Sequence, residues 1–103
     1  MAEQRWDGVI ETVHYAPNAQ IDWVRAYERR GATYSDVVLI RRDELIRKLQ
    51  SGRKFASGQR VLNLAGTFTG LEPVRLEMAD GATYVVCGSS QNAHDDLGKT
   101  PVV

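Results

Sequence analysis

The chain has 103 residues, 43 % hydrophobic and 25 % charged, with thirteen cations balanced by thirteen anions, which is the size and make-up of one ordinary globular domain. The longest strongly apolar run, residues 37–40, is far below the roughly 20 residues a membrane helix needs, and residues 1–8 lack the pattern of a secretory signal. One cysteine, Cys87, excludes an internal disulfide and suits a reducing compartment, so a cytoplasmic protein with no membrane partner is expected.

Residues 8–15 alternate Val9, Val13 and Tyr15 with Thr12 and His14, the period of a half-buried strand. Residues 16–19, Ala-Pro-Asn-Ala, supply a turn, with Pro17 fixing φ and Asn18 suited to a left-handed conformation. A second strand follows through Ile21, Trp23 and Tyr27. A third covers residues 34–40, where Val37, Val38, Leu39 and Ile40 read as buried on both sides. The period then changes to about 3.6, and Leu45, Ile46 and Leu49 predict a short helix near 43–51. Asp43 is its expected N-cap, Arg47 and Lys48 suit its negative end, and Gly52 its left-handed stop.

Residues 51–59 read as a polar, glycine-punctuated loop. Strands are then expected at 61–69, 73–78 and 83–87, the last two joined by the Asp80-Gly81 hairpin signal. The fold class is mainly β within α+β, in the order β-β-β-α-β-β-β. It is expected as a small antiparallel barrel or strongly bent sheet, OB-like or SH3-like. Residues 1–88 form the single domain. Residues 89–103 form a polar tail, mobile unless Leu97, Val102 and Val103 pack back on the core.

Overall neutrality hides a segregation of charge. Residues 41–60 hold seven cations against two anions, Asp43 and Glu44, a local charge of +5, whereas residues 1–40 sum to −2 and residues 61–103 to −3. Such a field attracts anions whatever the net charge. The candidate nucleic-acid or polyanion site is Arg41, Arg42, Arg47, Lys48, Arg53, Lys54, Phe55 and Arg60, with the cations on phosphates and Phe55 stacking a base. Four phosphate contacts would give a log–log salt slope of about −3 on single strands. Single-stranded RNA or DNA is the leading partner. The alternative is a protein-interaction or regulatory domain whose basic face meets an acidic protein or a second copy of itself.

Catalysis is not expected, because nucleophile, base and oxyanion site do not converge. Cys87 lies in an apolar strand, where a thiol behaves as a small hydrophobe with a raised pKa. His14 reads as a rim imidazole, and His94, Asp95 and Asp96 lack a nucleophile. The two histidines and one cysteine contain no zinc spacing, so neither metal nor cofactor is expected. The run Gly66-Thr67-Phe68-Thr69-Gly70 lacks the Gly-Lys-Ser/Thr of a phosphate loop. Trp23, Tyr27, Phe68 and Tyr84 read as core, and Trp6 either caps the core or docks on a partner.

Overall fold

The computed structural model describes residues 6–30, 33–60, 68–79, 81–88, 95–98 and 100–103. The elements run β1 (Gly8–Tyr15), β2 (Ile21–Arg30), β3 (Thr33–Arg41), α1 (Arg42–Gln50), β4 (Phe55–Arg60), β5 (Phe68–Ala79) and β6 (Ala82–Cys87), so the expected mainly β fold and element order hold. The six strands form one sheet in the order β3-β2-β1-β4-β5-β6. Two antiparallel meanders, β1-β2-β3 and β4-β5-β6, lie side by side, and their first strands, β1 and β4, pair in parallel through residues 8–10 and 55–57. A closed, wholly antiparallel barrel is therefore corrected to an open, bent sheet. The β3–α1–β4 crossover is long enough to return the chain in the same direction, which a tight hairpin cannot do.

Local chemistry accounts for most boundaries. The turn between β1 and β2 is closed by the Ala16 N–H to the Gln20 carbonyl and pinned by the Asn18 side-chain oxygen, which accepts the Gln20 N–H. The left-handed residue is Ala19, at φ 67°, rather than Asn18. In α1 the acidic Asp43 and Glu44 occupy the first turn and Arg47 and Lys48 the last, as the helix dipole favours. The N-cap is Arg41 without a side-chain bond, in place of the expected Asp43, and Gly52 stops the helix at φ 93°. The β5–β6 hairpin pairs Ala79 with Ala82, with Gly81 at φ 77° before β6.

The largest sequence-level correction falls on residues 55–59. Expected as a loop, they begin β4, because Phe55 and Ala56 are fully buried and Ser57 nearly so. Residues 61–67, where the fourth strand was expected, lie outside the described residues, and β5 begins at Phe68 with Gly70 at φ 66° within it.

Curvature brings one face of the sheet around a core of Ile10, Val13, Val24, Ala26, Ile40, Phe55, Val74 and Val85, onto which Leu45 of α1 packs. A register shift at Glu11 puts Ile10 and Val13 on this face and leaves Val9 on the other. Gly8 is required beside Phe55, since a Cβ there would stand 2.8 Å from ring carbon Cδ2. Val38 and Ile40 of β3 face the core side, but Val37 and Leu39 are 43 % and 53 % exposed, so β3 is not buried on both sides. Trp23, Tyr27, Phe68 and Tyr84 are only half-buried and stand apart from the core cluster. Tyr27 and Tyr34 instead pack on Phe68, and His14 stacks on Trp23 at 4.9 Å beneath Arg25.

The described part of the C-terminal tail packs back on the sheet, through Leu97 rather than through the exposed Val102 and Val103 side chains. Leu97 is fully buried, Asp96 donates its N–H to the Val85 carbonyl, and residues 101–103 pair with Val13. The Tyr15 hydroxyl accepts the Leu97 N–H, and burial pushes its pKa up. No described helix is long and apolar enough to cross a membrane.

Candidate functional site

The cations of residues 41–60 do not share one exposed field. Arg42 opens α1 and turns inward. Its Nε donates to Asp95 Oδ2 at 2.8 Å, and its Nη2 donates to Asp95 Oδ1 at 3.3 Å and to the Thr83 carbonyl at 2.8 Å. Asp95 also accepts the Ile21 N–H at 2.7 Å and the Val85 N–H at 2.9 Å, and its side chain is fully buried. The carboxylate thus joins the start of β2, β6, α1 and the C-terminal segment. Neither Arg42 as a phosphate contact nor Asp95 as a partner for a catalytic base fits this placement. His94 lies outside the described residues.

Lys48 is also occupied, with Nζ 3.3 Å from Glu28 and 3.9 Å from Glu44. Arg47 reaches Asp43 one helical turn away at 3.7 Å, with both side chains largely in water, a pair worth a few tenths of a kcal/mol at most by the usual i,i+4 magnitude of about 0.3–0.5. Arg41 is exposed opposite Trp23 on the face away from the core. The side chain of Arg60 lies outside the described residues. Phe55 has no exposed surface, so the expectation that it stacks a base is corrected: a ring sealed within the core offers no face to a ligand.

Arg53 and Lys54 differ from the rest. Arg53 is 53 % exposed, with only a distant Glu28 contact at 3.9 Å, and Lys54 is exposed with no ion pair among the described residues. Both line an open cleft of about 330 Å³ with Trp6, Leu49, Pro73 and Leu76, above Phe55 and Val74. Its lip is held rigidly. Asp7 donates its backbone N–H to the Lys54 carbonyl at 2.7 Å, and its side chain accepts the Lys54 N–H at 2.8 Å. The Trp6 carbonyl accepts the Tyr34 hydroxyl at 3.1 Å. Arg75 also lines the cleft but is spent on the Gly88 carbonyl and Glu77.

The arrangement joins two available cations to a half-exposed indole over an apolar floor, a combination suited to an anion carrying a flat or apolar group. Sequence reading found Arg53 and Lys54 by their charge. It missed that Trp6, far away in the chain, stands beside them, although its placement before a strand in a polar context was the available signal. Trp6 lines the cleft rather than joining the core cluster.

Nucleophilic chemistry finds little support in the remaining groups. Cys87 is buried with its Sγ 3.7 Å from Glu72, and desolvation pushes its thiol pKa up, against a lowering contribution from Ser57. The reactive thiolate is thereby disfavoured. His14 is held on the outer face, with Nδ1 2.6 Å from the Val103 carbonyl. Comparison of the chain with family models, with curated proteins and with solved structures gives no match.

Proposed function

We propose that the chain is a non-catalytic binding module that holds single-stranded nucleic acid at the cleft between Trp6, the end of α1 and the starts of β4 and β5. The supporting observation is that Arg53 and Lys54, free of strong internal pairing, rim an apolar cleft that also presents an indole. A single strand carries phosphates beside unstacked bases, and this cleft sets two cations beside one indole. In this reading Arg53 and Lys54 contact phosphates and Trp6 takes the stacking role that the buried Phe55 cannot fill. Arg42 and Lys48 build the fold and add little to binding.

Fluorescence anisotropy of a labelled oligonucleotide, as RNA and as DNA, tests the reading. The double variant Arg53→Ala/Lys54→Ala is expected to bind at least about tenfold more weakly, and Trp6→Ala to lose about 1–3 kcal/mol of affinity, the usual worth of one base on an aromatic ring. Both should keep the wild-type melting temperature within a few degrees, because none of the three side chains is in the core cluster. Equal affinity for wild type and both variants, or no binding by the wild type at low salt, would reject this site.

A further inference from the structure

The ladder between β4 and β5 breaks at one place. Ser57 pairs with Glu72 and Gln59 with Thr69, so between these pairs β5 carries Gly70 and Leu71 against the single Gly58 of β4. Gly70 takes up the extra length at φ 66°, the form of a bulge with glycine in the left-handed region. Beside the bulge lies a hollow of about 240 Å³, which shares no lining residue with the cleft beside Trp6. At roughly 30 Å³ per water it has room for about eight waters, the space of a small polar molecule rather than of a bare ion.

The lining is rich in acceptors. Thr100 gives its hydroxyl proton to the Leu97 carbonyl at 2.7 Å, which leaves its lone pairs. The Gln59 amide nitrogen is turned to the Glu11 carbonyl at 3.4 Å, which leaves its oxygen. Ser57 and Thr69 add hydroxyls, and Glu72 adds a carboxylate. That carboxylate is set in place. Cys87 Sγ donates to its Oε2 at 3.7 Å, and Gly88 backs it so closely that a Cβ there would stand 2.7 Å from Oε2. Gly88 is itself fixed, its N–H donated to the Pro73 carbonyl at 2.7 Å and its carbonyl accepting Arg75 Nε at 2.9 Å. No cation pairs with Glu72 among the described residues, and the buried thiol beside it does not supply the missing charge. A ligand that answers this lining must bring both donors and positive charge. A primary ammonium offers three N–H donors and no acceptor, and they fan out to separate acceptors, whereas a guanidinium fork wants two parallel ones. We propose that this hollow binds a small hydroxylated primary amine, with the ammonium on Glu72 and the hydroxyls among Ser57, Gln59, Thr69 and Thr100. The assignment is independent of the nucleic-acid reading.

Calorimetric titration of the chain with glucosamine, beside glucose as the matched neutral sugar, tests the assignment at about pH 6, below the usual amine pKa. Glucosamine is expected to bind with a Kd in the millimolar range or tighter, and glucose to show no binding up to about 20 mM. Glu72→Gln keeps the shape and removes the charge. It is expected to bind glucosamine at least about tenfold more weakly, the usual worth of a charge-assisted hydrogen bond, with an unchanged fold by circular dichroism. Arg53→Ala/Lys54→Ala should bind glucosamine as the wild type does, since both side chains line the other cleft. A wild type that binds neither sugar, or both alike, overturns the proposal. So does a folded Glu72→Gln protein with wild-type affinity for glucosamine, or loss of that affinity in Arg53→Ala/Lys54→Ala. Should Glu72→Gln fail to fold, the contrast between the two sugars on the wild type decides.

Discussion

Asp95→Ala is expected to remove about 3–5 kcal/mol of folding stability, the range for breaking one partner of a buried ion pair. The carboxylate accepts two backbone N–H groups and two guanidinium contacts, and its side chain is fully buried. Its removal leaves Arg42 facing the interior without an anion and strands the N–H groups of Ile21 and Val85. Those groups belong to β2 and β6, far apart in the sheet order, so the loss unfastens the curved sheet where the C-terminal segment closes it. Urea unfolding measures the effect. Arg42→Ala should cost a similar amount, because it strands the carboxylate instead, and the double variant should cost much less than the two losses combined. Were Arg42 instead a ligand contact, Arg42→Ala would weaken binding and leave unfolding unchanged.

Phe55→Ala carries the second large effect. Emptying a fully buried aromatic site costs about 3–5 kcal/mol through lost transfer energy and the cavity left behind. The ring is enclosed by the close approach of Gly8 and by the core that α1 covers, so neighbouring backbone has little freedom to collapse into the space. Thermal or urea unfolding of Phe55→Ala and of the milder Phe55→Leu should give a graded loss. A Phe55→Ala protein of unchanged stability that had lost oligonucleotide binding would mean that the ring is a surface group after all.

These two residues show where sequence reading reached and where it stopped. Strand and helix periods located β1, β2, β3, α1 and β6 because each presents its apolar residues at one clear spacing. The segment Phe55–Arg60 defeated that logic, since Phe, Ala, Ser and Gly flanked by cations look like a loop. It becomes a strand because parallel pairing with Gly8, Val9 and Ile10 buries both of its faces, a non-local contact that no window of sequence contains. The bulge at Glu11 shifted the inward face of β1 for the same reason: period two holds only while the register does.

Charge was legible as composition but not as direction. Residues 41–60 do hold seven cations, yet Arg42 answers Asp95, more than fifty residues away, and Lys48 answers Glu28 across the fold. A local sum of +5 counts these pairs as free field. Only the partners, supplied by β2 and the C-terminal segment, reveal that Arg42 and Lys48 are spent within the fold, and among the described residues of this stretch the cations lining the cleft beside Trp6 are Arg53 and Lys54. Trp6 was legible as an aromatic outside the strand pattern. Its proximity to Lys54 follows from the Asp7 bonds that align β1 with β4.

The salt dependence of oligonucleotide affinity tests the central proposal, that Arg42 and Lys48 serve the fold while Arg53 and Lys54 meet the ligand. Two phosphate contacts on a single strand give a log–log slope of about −1.4, which is a roughly sevenfold loss between 50 and 200 mM salt. A slope near that value, falling toward zero in Arg53→Ala/Lys54→Ala, is the expected result. A slope of about −3, the signature of four contacts on a single strand, or one that the double variant leaves unchanged, would contradict the account.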